Sequence, residues 1–166
     1  MEHERVNRVE KLKVRPLNSN NHFLRKAISM KRNKVLKISW NKYLKLVESL
    51  YNMIKKGKRK YSKVVAINRG GNIIGTILSH KLGIPLQVVN CASDINVGMY
   101  QGDLKGVILV VDDVVDTGKT LLNIDYPWLN YEFGSLHVKS HCKHKPTFYV
   151  EKIESDVWIR YPYEIE

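Results

Sequence analysis

The 166-residue chain has little of several things that decide fold class and setting. It holds two cysteines, Cys91 and Cys142, too few for a disulfide framework. It opens on Met1-Glu2-His3-Glu4-Arg5, with no apolar stretch of the kind a signal peptide needs. Both absences lead to the expectation of a reduced, cytoplasmic setting. The longest apolar run is Val107-Ile108-Leu109-Val110-Val111. That is the length of a strand, so no membrane segment is expected. There is no tandem repeat, no low-complexity tract and no recognisable helix-turn-helix motif. Hydrophobic residues still make up 43% of the chain, enough for a real core, which excludes a wholly disordered protein. The length suits one domain with an appendage.

Acidic residues are scarce only in part of the chain. Overall, 28 Lys and Arg stand against 16 Asp and Glu, a formal net charge of +12. Residues 1–60 hold 18 of those cations and 4 of the acids, and residues 61–166 hold 10 and 12. The first third is therefore strongly basic and the remainder slightly acidic. A uniform excess would point to a nucleic-acid surface. This distribution restricts that reading to the N-terminal part.

Residues 1–37 are basic and polar and are expected to form a flexible or weakly structured arm, with residues 38–166 as the folded domain. Ser39 is a candidate helix N-cap. After it, Trp40, Tyr43, Leu44, Leu46, Val47, Leu50, Tyr51 and Ile54 recur at helical spacing. Lys55 to Lys60 and Gly57 suit the end of that helix. Lys63–Ile67 reads as a buried strand, Asn68–Gly71 as a turn, and Ile73–Leu82 as a second helix closed by Gly83. Ile84–Val89 reads as a strand, 90–105 as a long loop, and Val107–Val111 as the most apolar strand. Residues 112–120 read as a loop leading into a helix start at Thr120. Leu136–Ser140 and Phe148–Val150 are later strands. Asp125-Tyr126-Pro127-Trp128 breaks the connector, so the helix before it is expected to be short or split. Strands without polar alternation, interleaved with helices, predict an α/β fold with a mainly parallel sheet flanked by helices.

The most informative stretch follows the apolar strand: Asp112-Asp113-Val114-Val115-Asp116-Thr117-Gly118-Lys119-Thr120. Ligands of open α/β sheets bind at the carboxyl ends of strands. Glycine and hydroxyl side chains at a helix start offer donors to a phosphate. Gly118-Lys119-Thr120 matches the tail of a nucleoside-triphosphate P-loop, but the glycine needed five residues earlier is Asp113. That acid would repel phosphate, and the P-loop reading fails on it.

Val110 to Thr120 resembles the phosphoribosyl-pyrophosphate (PRPP) motif of type I phosphoribosyltransferases. Val64 to Gly71, followed by a helix and Leu82-Gly83-Ile84-Pro85-Leu86, resembles the pyrophosphate-loop region of that family. The tail with Lys145-Pro146, Phe148-Tyr149-Val150, Val157-Trp158-Ile159 and Pro162-Tyr163-Glu164 resembles the base-binding hood of the xanthine-guanine and hypoxanthine branch. The resemblance spans about residues 38–166 and implies a Rossmann-like fold with a small C-terminal hood. It implies transfer of the 5-phosphoribosyl group from PRPP to a purine nitrogen, with release of pyrophosphate, in nucleotide salvage.

The same resemblance distributes the roles. Asp116, Thr117, Gly118, Lys119 and Thr120 would take the 5′-phosphate. Asp112 and Asp113 would accept from the ribose hydroxyls, directly or through Mg²⁺, the implied cofactor. Arg69, Gly70 and Gly71 would bind pyrophosphate, with Arg69 supplying a fixed cation. Asp116 would also manage the proton at purine N7. Lys145 would donate to a 6-oxo group, Trp158 would stack on the purine, and the Ile159 backbone would meet its edge. Residues 90–105 correspond to a mobile lid, to which no catalytic role is assigned. A homodimer or homotetramer is implied.

Two further readings stand beside this one. The loop could serve a non-catalytic PRPP- or nucleotide-sensing module whose basic arm binds nucleic acid or a partner. The broken connector and compact hood also leave open an unusual acceptor. His137, His141, Cys142 and His144 cluster, but they lack the paired spacing of a structural zinc site.

Overall fold

The computed structural model describes residues 34–92, 106–124 and 129–164, all within the unit Lys34–Glu166. The arm up to residue 33, most of the lid segment and the Pro127 break lie outside the described residues.

Strand β1 (Lys34–Lys37) precedes helix α1 (Trp40–Lys56). Ser39 caps that helix, its hydroxyl accepting from Lys42 N at 3.3 Å. Gly57 closes it, its N–H reaching the carbonyls of Met53 and Ile54. The buried face is narrower than the apolar spacing implies. Tyr43, Leu46, Val47, Leu50 and Ile54 are buried, whereas Trp40 and Leu44 are half exposed.

Strand β2 (Tyr61–Ile67), helix α2 (Gly71–Leu82) and strand β3 (Leu86–Val89) follow, then β4 (Val107–Val115), the four-residue helix α3 (Lys119–Leu122), β5 (Tyr131–Lys139), β6 (Phe148–Ile153) and β7 (Val157–Arg160). Five strands form one sheet in the order β3-β2-β4-β5-β6, and every pairing in it is parallel. Strands β1 and β7 form a separate parallel pair. Alternate residues of the central strands face two cores. Val64, Ala66, Leu109, Val111 and Leu136 pack with α1 and α2 on one side. Val65, Ile67, Ile108, Val110, Phe133 and Val138 pack with Ile124 and Leu129 on the other. Burial on both faces explains the unbroken apolar run of β4.

Several boundaries differ from the sequence reading, including the start of β5 at Tyr131 rather than Leu136, and two of them follow directly from strand pairing. Residues 34–37, placed in the arm, form a strand because they find hydrogen-bonding partners in β7, from Lys34↔Val157 to Lys37↔Arg160. The stretch from Asp112, read as loop, stays in β4 to Val115. Neighbouring β5 is long enough to keep pairing it, with Asp112↔Ser135 and Val115↔Val138. Both acids therefore sit on a strand, at a fixed place. No described helix is long and apolar enough to cross a membrane.

Candidate active site

Parallel register brings the carboxyl ends of β2, β4 and β5 together. Ala66 pairs with Val111, so the turn Asn68-Arg69-Gly70 emerges beside Asp112 and Asp113. That turn is pinned: Asn68 N donates to Val89 O at 2.7 Å, and Asn72 Nδ2 donates to Asn68 Oδ1 at 2.8 Å. The Asn68–Arg69 peptide is cis. Arg69 itself is exposed. Gly70 has no room for a side chain, because a Cβ there would lie 2.3 Å from Asp113 Cγ. The turn thus rests directly on the acid.

Asp113 is held from several sides. Tyr163 Oη donates to its Oδ2 at 2.6 Å. Val114 N donates to Oδ1 at 2.7 Å. Tyr161 Oη donates to the Asp113 carbonyl at 2.9 Å. Asp112 Oδ1 in turn accepts from Asp113 N at 2.9 Å. Burial, and then the Asp113 charge, push the Asp112 carboxyl well above the usual carboxylate range. Burial also raises Asp113, although hydrogen bonds from Tyr163 and Val114 pull the other way.

An aromatic cluster backs this pair. The Tyr161 and Tyr163 rings stack 5.5 Å apart, and Tyr43 meets Tyr163 edge-on at 5.7 Å. His137 Nδ1 lies 2.7 Å from Tyr161 Oη. Since that hydroxyl donates to Asp113, it accepts from His137, which fixes Nδ1 as the protonated nitrogen. His137 Nε2 then faces Glu151 Oε2 at 3.4 Å without a proton between them. It is indeed a buried atom with no hydrogen-bond partner. Burial is the main reason the His137 imidazole is lowered to about 4.

Asp116 lies just beyond β4 in a different setting. Its side chain is 63% exposed, and Oδ1 lies 3.0 Å from His141 Nε2. Gly118 has φ +83°, and a Cβ there would come within 2.9 Å of the His144 Cβ. The 116–118 loop therefore abuts the segment that leads from β5 to Lys145, which is exposed. Lys119 N donates to Thr117 Oγ1 at 3.4 Å, and α3 ends at Leu122, short as expected.

The sequence-predicted residues thus gather in two groups, Arg69–Gly71 with Asp112–Asp113, and Asp116–Thr120 with the segment ending at Lys145. Trp158 lies on β7. It is 57% exposed and sits opposite Val35 in register, so it is not a core tryptophan. Ile159 beside it is buried. Tyr161, Tyr163, His137 and His141 join the two groups through the fold. The Tyr161-Pro162-Tyr163 pair was visible, but nothing local announces its bond to Asp113.

The acid pair offers hard oxygen donors, and nearby positive charge would oppose the burial that disfavours its ionised form. Among the described residues no three His, Cys, Asp or Glu side chains form a metal-holding group. Two carboxylates are at most part of a divalent cation's shell, and substrate oxygens and water would have to supply the rest.

No family model matches the chain. Among solved structures it is similar to a purine phosphoribosyltransferase from Pyrococcus horikoshii, at 27% identity and TM-score 0.66, covering 80% of this chain and 96% of that one. The xanthine-guanine-hypoxanthine phosphoribosyltransferase of Helicobacter pylori matches at 24% identity and TM-score 0.67, covering 79% and 94%. A Neisseria gonorrhoeae protein solved with bound ppGpp matches at 22% and 0.61, covering 80% and 90%. The fold is that of the type I phosphoribosyltransferases.

Proposed function

We propose that the protein is a PRPP-dependent phosphoribosyltransferase that transfers the 5-phosphoribosyl group to a 6-oxopurine, guanine, xanthine or hypoxanthine, and releases pyrophosphate. One observation carries the reading: the glycine of the Arg69-Gly70-Gly71 turn lies against the Asp113 carboxylate. That contact supports reading the turn as the pyrophosphate site and the acid pair as the sugar site of one centre, with the phosphate loop next along the chain. Likeness to the Pyrococcus purine phosphoribosyltransferase supports the same class.

In this reading Asp112 and Asp113 accept from the ribose hydroxyls. Their position on a paired strand, with Tyr163 fixing one oxygen of Asp113, orients the sugar before reaction. Mg²⁺ held by this pair and the substrate would offset the charge of the departing pyrophosphate. Arg69 offers a fork of donors to that pyrophosphate. Asp116 to Thr120 hold the 5′-phosphate. As the purine N9 attacks the ribose C1, the exposed Asp116 carboxylate accepts the N7 proton. Lys145 donates to the 6-oxo group, which disfavours the amino group of adenine, and Trp158 with the Ile159 backbone receives the ring. A homo-oligomer and a cytoplasmic setting accompany this reading.

The test is incubation with PRPP, Mg²⁺ and each of guanine, xanthine, hypoxanthine and adenine. Nucleotide should form with at least one 6-oxopurine and not with adenine. No nucleotide from any base would remove the assignment, and PRPP-dependent binding of nucleic acid in its place would favour a sensing module.

A further inference from the structure

The strand that carries Trp158 and Ile159 is not part of the main sheet. Among the described residues β7 pairs with β1 alone. Its place relative to the acid pair therefore falls to packing and to side-chain bonds. Ile159 packs in the core that α1 and α2 cover, and Lys139 Nζ of β5 donates to the Val157 carbonyl.

The remaining ties come from the chain just past β7. Glu164 N donates to Tyr161 O at 3.1 Å and closes a turn around Pro162. The turn sets the Tyr161 and Tyr163 rings 5.5 Å apart and 2° from parallel. Both hydroxyls then reach one residue of β4. Tyr161 Oη lies 2.9 Å from the Asp113 carbonyl, and Tyr163 Oη lies 2.6 Å from Asp113 Oδ2. The Tyr163 contact is a hydrogen bond whichever partner holds the proton. Gly70 meets the same carboxyl group. The tail of the strand read as holding the base is thus fastened to the acid read as holding the sugar.

We propose that Tyr163 is a positioning residue for the purine: its bond to Asp113 fixes the tail beyond β7, and through it the place of Trp158 relative to the ribose. The inference rests on the readings of Asp113 and Trp158 given above. Attack of N9 on the ribose C1 needs the two rings held in register, and a small misplacement costs much of the rate. Tyr163 acts through Trp158, five positions back along the chain, and touches no substrate. Tyr161 Oη also meets His137, so its loss disturbs two contacts, and Tyr163 is the cleaner place to cut.

The test is a double-mutant cycle of Tyr163→Phe and Trp158→Ala. KM for the 6-oxopurine that reacts best is measured at saturating PRPP, and the PRPP dissociation constant by calorimetry. Tyr163→Phe keeps the ring and its stack, so it should fold, which circular dichroism checks. It is expected to raise the base KM about fivefold, and Trp158→Ala about tenfold. The double variant should match Trp158→Ala within about twofold, because Tyr163 has no stack left to place. The effect of Tyr163→Phe on PRPP should be the same in both backgrounds. A merely loosened fold would raise the base KM equally with and without Trp158. Multiplied effects, about 50-fold in the double variant, overturn the proposal. An unchanged base KM in Tyr163→Phe, with Trp158→Ala impaired, overturns this inference alone. An unchanged base KM in Trp158→Ala removes the reading of Trp158 and this inference with it.

Discussion

Asp113 and Asp116 lie three residues apart and are held in opposite ways. Asp113 sits inside a paired strand, bonded by Tyr163 and by the Val114 backbone, with Gly70 pressed against it. Asp116 lies just past the same strand, more than half exposed, tied to His141. A half-buried, fixed carboxylate suits a ligand that must be oriented, because little is reorganised on binding. A wet carboxylate suits a group that must gain and lose a proton within each turnover. The contrast teaches that one short stretch of chain can supply both when the strand ends between its acids.

The largest expected effect comes from breaking the Asp113 side. Gly70→Ala would place a methyl group where the Asp113 carboxyl stands. Steady-state pyrophosphate release should fall by at least about 100-fold, equivalent to about 2.7 kcal/mol in transition-state binding. Near-normal rates would show that the turn and the acid are not one site.

The next effect is on acid stability. His137 is lowered to about 4 from an ordinary 6.5, chiefly by burial. The unfolded chain takes up that proton first, so its contribution to stability is full above about 6.5 and is lost as pH falls toward 4. The loss is up to about 3 kcal/mol. The raised carboxyls of Asp112 and Asp113 act in the opposite sense, since the folded protein binds their protons more tightly. The measurement is therefore the difference between wild type and His137→Gln in denaturant unfolding from pH 7 to 4. The variant should lack this part of the acid loss. Parallel curves would contradict a buried neutral His137.

Tyr163→Phe removes one donor from Asp113 and leaves the ring stack. Unfolding free energy should drop by about 1–2 kcal/mol, and PRPP affinity, measured by calorimetry, should weaken several-fold. An unchanged affinity would mean that the acid needs no fixing. The smallest effect lies on the other side. His141→Gln should change unfolding free energy by no more than about 0.5 kcal/mol, because exposed polar contacts of this kind contribute little. A larger loss would erase the contrast between the two regions.

Much of the fold was legible because burial on both sheet faces leaves continuous apolar runs, as in Val64–Ile67 and Val107–Val111. The site was legible through Arg69–Gly71 and Asp112–Thr120, which are local patterns. What was not legible depends on partners distant in sequence. Lys34–Lys37 carries two lysines and becomes a strand only because β7 lies beside it. Asp112 and Asp113 end an apolar run, yet β5 keeps their strand going. Trp40 and Leu44 share a helical spacing with core residues but lie at the edge of the buried face. Tyr163 and His141 reach acids 50 and 25 positions away in the chain, which no local spacing encodes.

The central claim is that one acid binds the sugar and the other moves the proton. It is tested most directly by measuring PRPP dissociation constant and kcat together in Asp116→Asn. The account expects kcat to fall by about 100-fold or more while the dissociation constant changes no more than a few-fold. Equal loss of both, or retention of kcat, would contradict it.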